Sequence, residues 1–324
     1  MKHLSDERLR QLVKVATLYY KEGKTQQEIS RELNFSRPNI SRMLEQAVAR
    51  GIVTIQIHDP FARQEQFNNW FKTTFGLMSV SLIDADKNDN YAISQRIAEA
   101  LHDELESNIK DNSSIGIMAG LTINSISRYM KPVKQIGLTF VPLTGGFGNH
   151  ADWQANLNAR NFGEHMHHQY VQLNAPYIVK SKAAYDILVE EPDIRNVLNM
   201  ADSISAAIVG IGQMQRNATL INTGLLNSGQ LAELHDKGAV GSICTSFFDS
   251  QGTIIDYSFS DHIIGMDLKQ LKKVPRVIAV VFGNHKVQAI TGALLGKWID
   301  VLITDIHTAK SIQDYYFNHF FHGE

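Results

Sequence analysis

The sequence of 324 residues contains a single cysteine, Cys244, and no long apolar run. One cysteine excludes an intrachain disulfide and a metal site built from several thiolates, which favours a reducing compartment. The apolar run at residues 277–282 is far shorter than the ~18 residues that a membrane span requires. The N-terminal residues are charged and lack the apolar segment of an export signal. We therefore expect a cytoplasmic protein with no membrane partner.

Motifs for nucleotide binding are also missing. No segment matches the Walker A pattern and no clean Gly-x-Gly-x-x-Gly occurs, so neither nucleotide hydrolysis nor dinucleotide binding is predicted. His165, His167 and His168 lack a carboxylate at a matching spacing, and such a cluster more often consists of exposed or packed histidines than of metal ligands. We predict no cofactor and no metal site.

An overall excess of positive charge is absent, since the net charge is −2. The charge is nevertheless uneven, because residues 1–58 hold ten Lys and Arg against six Asp and Glu, a balance of +4 that leaves −6 for the rest. Phosphate neutralisation requires local and not total positive charge. This segregation is typical of a small DNA-contacting module attached to an acidic body.

Helical periodicity dominates the first 50 residues. The first helix is predicted from an apolar stripe made of Leu9, Leu12, Val13, Ala16, Tyr19 and Tyr20. Thr25 and Glu28 have the spacing of a capping box that opens a second helix. Ser36 is expected to cap a third helix, which Ile40, Leu44 and Val48 hold to the other two.

The third helix carries polar residues in its first turns. Together with the start of the second helix they form a candidate DNA-contacting set, which comprises Thr25, Gln26, Ser36, Arg37, Pro38, Asn39, Ser41 and Arg42. Side chains of these types reach phosphates and base edges in the major groove. After Gly51, alternating apolar and polar residues predict a wing strand. We predict a winged helix-turn-helix over residues 1–58; the alternative is a small helical subdomain with a solvated face.

Residues 59–324 are predicted to form a second domain. An aromatic helix with Phe67, Trp70 and Phe71 on one side opens it, either packed on the core or used for dimerisation. Beyond Gly76, strands and helices alternate in the order that generates a parallel sheet. We predict an α/β, doubly wound, Rossmann-like fold, in which ligands bind beyond the carboxyl ends of the strands.

Three turns that follow predicted strands could hold an anion with amides, hydroxyls and one cation. The first contains Gly120, Leu121 and Thr122, the second Thr144, Gly145, Gly146 and Asn149, and the third Lys286. Taken singly each is weak, because a glycine after a strand is most often only part of a turn. Asp305, at the end of another strand, is interpreted as a helix cap more readily than as a ligand contact.

Several segments resemble the SorC family of bacterial sugar-responsive transcription regulators. Residues 18–44, "LYYKEGKTQQEISRELNFSRPNISRML", are similar to its DNA-binding pattern, and "HDPF" resembles its deoxyribonucleoside-regulator branch. "QLNAPYIV", "GAVGSICTSFFDSQG" and the segment at residues 286–312 are similar to its effector-domain signatures. Two departures occur. Ser242, which we include among the predicted effector-binding residues, stands where the family has Asp, an acceptor for sugar hydroxyls, and Ala119 stands where the family has Trp.

The resemblance implies an effector domain similar to sugar-phosphate isomerases. It implies that a phosphorylated sugar binds there, its phosphate held by Gly120, Thr122, Gly145, Gly146 and Lys286. The expected function is a repressor of a carbohydrate or nucleoside catabolic operon, with operator DNA as partner and a homodimer or homotetramer as the assembly. The competing hypothesis is an isomerase-like enzyme with an accessory helical domain, and an RNA-binding regulator is disfavoured because base-stacking aromatics are absent.

Overall fold

The structure, a computed structural model, describes residues 6–54, 62–86, 88–148, 151–215 and 218–321. The chain divides into two compact units, Met1–Arg63 and Gln64–Glu324. Within the described ranges, no helix has both the length and the apolar character that crossing a membrane would require.

The N-terminal unit contains three α-helices, α1 (Asp6–Ala16), α2 (Gln26–Leu33) and α3 (Arg37–Ala49), with a π-helical turn after α1 at Thr17–Lys21. The predicted capping box is confirmed, because the Thr25 side chain accepts from the Glu28 amide and the Glu28 carboxylate accepts from the Thr25 amide. Asn34 ends α2 in the left-handed conformation. The core of the unit consists of Leu12, Val15, Leu18, Ile29, Ile40, Met43 and Leu44.

Four residues that were predicted to pack in the core of this unit are instead exposed, so these predictions are wrong. Leu9, Val13, Tyr20 and Val48 are each more than 40% exposed. Their places in the core are taken by residues such as Val15, Leu18 and Met43, which lie on neighbouring positions around the helices. The π-helical turn contributes to the error, because its extra residue per turn shifts every position after Ala16 away from ordinary helical spacing.

Ser36 lies at the predicted N-cap of α3 but makes no side-chain capping bond. Pro38 in the first turn has no N–H to donate, and the Asn39 amide donates to the Ser36 carbonyl at 2.9 Å instead. The predicted wing begins after Gly51. Residues 55–61 lie outside the described part of the chain, and residues 52–54 form no strand.

The C-terminal unit alternates helices and strands. Its first half contains α4 (Ala62–Phe75), β1 (Ser79–Ile83), α5 (Asn90–Asn108), β2 (Ser114–Ile117), α6 (Leu121–Ser127), β3 (Thr139–Pro142), α7 (Ala155–Met166), β4 (Gln169–Tyr170), α8 (Lys182–Glu190) and α9 (Pro192–Ala201). Its second half contains β5 (Ala206–Val209), β6 (Gly212–Gln213), α10 (Thr219–Asn222), α11 (Ser228–Asp236), β7 (Gly241–Ile243), β8 (Ser246–Phe248), α12 (Leu268–Leu271), β9 (Val277–Val280), α13 (Val287–Leu295), β10 (Val301–Asp305) and α14 (Ile306–His319).

Seven of these strands form one parallel sheet in the order β1-β10-β9-β5-β2-β3-β4. The predicted α/β class with a parallel sheet is therefore confirmed. Both faces of the sheet are buried, since Ala207 and Val209 of β5 enter one apolar core while Ala206 and Ile208 enter another. The chain passes from β2 to β3 and β4, then returns to β5 on the other side of β2. This reversal opens a crevice between the carboxyl ends of β2 and β5.

A second sheet of three antiparallel strands, β6-β7-β8, was not predicted from the sequence. Its β7–β8 hairpin turns at Cys244, which adopts the left-handed conformation with φ 51°. The β6 strand follows β5 closely, so this small sheet lies beside the crevice.

The aromatic helix α4 packs on the core of its unit, which was one of the two predicted alternatives. Phe71 is fully buried, and the Trp70 ring lies 5.7 Å from that of Tyr316 and 5.6 Å from that of Phe317. Phe75 contacts Tyr316 at 5.3 Å. Helix α4 is thus joined to α14 by a cluster of rings.

The pair of Arg276 and Glu104 supports the end of the sheet opposite the crevice. The two side chains meet at 2.5 Å, and Glu104 also accepts from Ser79 and Asn108. Arg276→Met leaves a buried carboxylate without its cation, so we expect the free energy of unfolding in urea to fall by about 3 kcal/mol. The double variant Arg276→Met/Glu104→Gln should recover most of the lost free energy of unfolding, because it has no buried carboxylate. Equal losses in the single and double variants would contradict this account.

The exposed pair Arg195–Glu190 is the matched control for that measurement. Its residues are more than half exposed, so Arg195→Met should cost less than about 1 kcal/mol.

Candidate functional site

A cavity of about 90 Å³ lies at the crevice between β2 and β5. Its wall is built from the segment after β2, the segment after β5 and parts of the loops that follow β3 and β6. The lining residues are Met118, Ala119, Gly120, Leu121, Thr122, Ile123, Thr144, Phe147, Trp153, Tyr177, Gly210, Ile211, Gly212, Thr219, Leu220, Ser242 and Cys244. Five of the predicted ligand residues are among them, namely Gly120, Leu121, Thr122, Thr144 and Ser242.

The turn between β2 and α6 presents free amides. Gly120 has φ 152° and ψ 146°, a conformation open only to glycine, and its own amide donates to the Trp153 carbonyl at 2.8 Å. The next three amides, of Leu121, Thr122 and Ile123, donate to no residue in the described part of the chain. They form the first turn of α6, where amides have no helical partner.

Asn158, on α7, fixes the position of this turn. It is fully buried, and its amide nitrogen donates to the Met118 carbonyl at 3.1 Å and lies 3.4 Å from the Gly120 carbonyl. Its amide oxygen accepts from Asn124 of α6 at 3.1 Å. One side chain thus ties Met118, the residue directly after β2, to the first turns of α6. The sequence offered no signal for this role beyond a polar residue on an apolar helix face.

Three aromatic rings form a second wall of the cavity. Phe147 stacks on Tyr177 at 4.3 Å and lies 4.7 Å from Trp153. Burial raises the pKa of the Tyr177 phenol, which therefore remains protonated. No residue in the described ranges donates to or accepts from its hydroxyl. The three residues were not predicted, although Tyr177 belongs to the "QLNAPYIV" segment.

The polar side chains of the cavity carry mainly hydroxyl groups. Thr144 is 1% exposed, and its hydroxyl has no hydrogen-bond partner among the described residues. Ser242 pairs with Gly212 across the small sheet and is also buried. None of the described residues that line the cavity is acidic. The wall therefore offers donors and hydroxyls to a ligand, but no carboxylate.

Lys286 lies in a 3-10 turn that follows β9, outside the wall of the cavity. This lysine turn, residues 283–286, contacts β6, whose Gly212 lines the cavity. Lys286 does not itself line the wall. It makes no ion pair with a described residue, and burial lowers its pKa to about 8. A partly buried ammonium that no described carboxylate pairs with favours an anion nearby.

Gly145 and Gly146 do not present amides to the cavity. The Gly145 amide donates to the Ile264 carbonyl at 3.0 Å and the Gly146 amide to the Ala175 carbonyl at 2.8 Å. A Cβ on Gly145 would lie 2.4 Å from the Pro176 carbonyl oxygen, so close passage of another backbone segment accounts for this glycine. Asn149, the last residue of that predicted turn, lies outside the described residues.

Two of the remaining polar candidates, Asp305 and His165, have structural partners. Asp305 accepts from the amides of His307 and Thr308 at 2.9 Å, which confirms its interpretation as the cap of α14. His165 contacts the Asn161 carbonyl through Nδ1. In the part of the chain that the structure describes, no cluster of three or more potential metal ligands occurs.

Helix α3 of the N-terminal unit exposes the predicted basic residues. Arg37 and Arg42 lie on the surface, and neither forms an ion pair with any described residue. Ser36 and Pro38 are exposed, and Asn39, Ser41 and Gln26 are partly exposed. Thr25 is exposed too, but its hydroxyl is used in the capping box of α2. The two arginines are therefore available for an anionic partner.

Comparison with known proteins agrees with this arrangement. The Sugar-bind model, which describes a sugar-binding domain, matches residues 59–313. The LsrR transcriptional regulator of Escherichia coli O139:H28 is 31% identical over 310 residues, covering 93% of this chain and 94% of LsrR. This chain belongs to the SorC family of transcription regulators with a sugar-binding domain.

Other relatives extend the comparison along the whole SorC-family chain. The deoxyribonucleoside regulator of Bacillus subtilis is 29% identical over 301 residues, covering 93% of this chain and 96% of its own. The full-length sorbitol operon regulator SorC of Klebsiella pneumoniae has the same fold, with a TM-score of 0.72, 24% identity, and coverage of 96% and 99% of the two chains. The function of this chain is sugar-responsive regulation of transcription.

The uncompensated charge of Lys286 has a cost in this SorC-family regulator. Because the pKa in the folded protein, about 8, lies below the ordinary 10.5, the folded state binds fewer protons between these values, and stability rises with pH across that window. We expect Lys286→Met to raise the melting temperature of the ligand-free protein at pH 7, and the gain to shrink from pH 8 towards pH 10. Thermal unfolding at several pH values tests this.

Lys269→Met, at an exposed position of α12, provides the control and should leave the melting temperature nearly unchanged at every pH. A gain for Lys286→Met that does not depend on pH would show that packing, and not charge burial, sets its stability.

Proposed function

We propose that this regulator is a repressor whose affinity for operator DNA is controlled by a phosphorylated sugar bound at the cavity. The observation that carries the proposal is the ammonium of Lys286, which has no counterion among the described residues and lies in a turn that contacts β6, at a cavity with unused donors. The free amides of Leu121 and Thr122, the orphan hydroxyl of Thr144 and the phenol of Tyr177 are such donors. A phosphate would supply the negative charge that Lys286 lacks as a partner and the acceptor oxygens that the other donors lack as partners.

The size and chemistry of the cavity favour a small ligand. An aromatic wall binds the apolar face of a sugar ring, and the hydroxyls of Thr144 and Ser242 can bind a few sugar hydroxyls. Because no carboxylate lines the described wall, a ligand with many hydroxyls finds few strong acceptors there. The similarity to a deoxyribonucleoside regulator makes a pentose phosphate from nucleoside breakdown our first candidate.

For the N-terminal unit we propose a winged helix-turn-helix with α3 as the recognition helix. Its first turns expose Arg37 and Arg42, and neither is engaged by a carboxylate. The Ser36 hydroxyl makes no capping bond and can therefore donate to a phosphate. Because one such helix reads few base pairs, we propose that a homodimer or homotetramer binds paired half-sites.

We propose no catalytic role for the cavity. A sugar-phosphate isomerase requires a base that abstracts a proton, and no described lining residue is a carboxylate or a histidine. Burial raises the pKa of both Tyr177 and Cys244, so neither side chain is ionised near neutral pH. Turnover of pentose or hexose phosphates by the purified full-length chain would overturn this part of the proposal.

Arg37→Ala and Arg42→Ala should each weaken operator binding. An arginine that contacts a base contributes ~1 to 3 kcal/mol of discrimination, so a contact of this kind should relax sequence preference, whereas a phosphate contact should weaken binding to all sequences alike. Electrophoretic mobility shifts with operator and scrambled DNA at fixed salt distinguish the two. Arg195→Ala, on α9 of the C-terminal unit, is the control. Wild-type operator affinity in both α3 variants would refute α3 as the recognition helix.

Lys286→Met should leave operator affinity unchanged without ligand but reduce the response to ligand. A hydrogen bond to a charged group contributes ~1.5 to 3 kcal/mol, so release from the operator should require roughly 10- to 100-fold more sugar phosphate. Titration of labelled operator with a panel of phosphorylated pentoses and hexoses measures this shift.

Lys269→Met is again the matched control. Coupling is reciprocal, so saturating operator should lower the affinity for the sugar phosphate by the same factor by which the sugar phosphate lowers operator affinity. A Lys286→Met protein that responds at wild-type concentrations would exclude Lys286 from the site.

A further inference from the structure

We infer that Thr308 and Ser311, on α14, are positioning residues that hold the lysine turn in place for anion binding. This inference rests on the proposed role of Lys286. Neither hydroxyl lines the cavity, and both lie one step removed from the ligand. They act through the backbone and side chain of the turn that carries the ammonium.

Thr308 connects the lysine turn to a buried carboxylate. Its hydroxyl accepts from the Gly283 amide at 2.8 Å and donates to the Asp305 carboxylate. Thr308 and Asp305 are 2% and 3% exposed, so water does not compete for these groups. The Lys286 amide in turn donates to the Gly283 carbonyl at 3.0 Å, which closes the turn on the residue that Thr308 holds.

The chemistry at position 308 requires a hydroxyl. The Gly283 amide can only donate and the Asp305 carboxylate can only accept, so the group between them must accept and donate at once. A valine has the same shape but can do neither. It would leave a buried amide without a partner, and the turn would have to move to recover one.

Gly283 shows why the turn needs this support. Its φ of 108° lies in a region that side-chain-bearing residues rarely adopt, and a glycine there is conformationally free in the absence of contacts. The hydrogen bond that the Gly283 amide donates to Thr308 restricts that freedom at the first residue of the turn.

Ser311 forms a second connection from the same helix face. It lies three residues after Thr308, one turn further along α14. Its hydroxyl lies 3.1 Å from both the Asn284 side-chain oxygen and the His307 carbonyl, and its single proton is shared between these two acceptors. Two successive residues of the lysine turn, Gly283 and Asn284, are therefore held by two successive turns of one helix. Ser311 is only partly buried, so its contribution should be the smaller one.

Isothermal titration of the full-length chain with inorganic phosphate at constant ionic strength tests the inference. We expect Thr308→Val to weaken phosphate binding about 10-fold, Ser311→Ala by about 2- to 3-fold, and the conservative Thr308→Ser by less than about 2-fold. Thr304→Val is the matched control. Thr304 is a fully buried residue on β10 whose hydroxyl has no partner among the described residues, so its loss should leave phosphate affinity unchanged.

The decisive measurement repeats Thr308→Val and Ser311→Ala in the Lys286→Met background. If both residues act through Lys286, neither substitution should weaken phosphate binding further there. Additive losses would mean that Thr308 and Ser311 act by general destabilisation, and would overturn the inference while the proposed function stands. Wild-type phosphate affinity in Lys286→Met, or no phosphate binding by the wild type, would overturn the anion site and this inference with it. Ser311→Ala keeps the test available if Thr308→Val does not fold.

Discussion

The reversal of strand order between β2 and β5 is the constraint on which the rest of the C-terminal unit depends. Parallel strands deliver their following loops to one edge of the sheet, and the reversal separates two neighbouring loops there. Residues 118–123, after β2, and residues 210–212, after β5, line the gap at that place. Asn158 fixes one wall of this gap, because its side chain forms hydrogen bonds both to the residue after β2 and to α6.

The polar groups near the gap that have no hydrogen-bond partner among the described residues are all able to donate a hydrogen bond. The amides of the first turn of α6, the Tyr177 phenol and the Lys286 ammonium are donors, and the Thr144 hydroxyl can donate as well. A folded protein usually pairs such groups, since an unpaired buried donor costs about 1 to 3 kcal/mol. Under the proposed function, an acceptor-rich, negatively charged ligand would pair these donors and offset that cost.

Sequence patterns predicted most of the parallel framework, because its longer strands have a local signal, whereas β4 is only two residues long and was not predicted. The segments at 79–83, 114–117 and 301–305 are short apolar runs followed by turn residues, and all became strands of the sheet. The small antiparallel sheet escaped prediction because its strands are only two or three residues long. In the N-terminal unit, the π-helical turn broke the 3.6-residue period on which the assignment of Tyr20 depended.

Only some residues of the candidate site could be predicted from the sequence. Gly120, Thr122 and Thr144 follow strands directly and could be predicted from that position alone. Phe147, Trp153 and Tyr177 meet only through the tertiary fold, and no spacing rule connects them. The prediction for Gly145 was wrong for a physical reason. A glycine with a free amide can bind an anion, but the Gly145 amide is already used, and its missing Cβ instead lets another backbone segment pass close by.

Helix α14 has a second attachment besides the lysine turn. Thr308 and Ser311 lie near its start, whereas Tyr316 and Phe317, about 12 Å further along at 1.5 Å per residue, pack against the rings of α4. Helix α4 is the element through which the chain enters the C-terminal unit after residues 1–61. One helix of 14 residues therefore contacts the lysine turn near its start and the rings of α4 near its end.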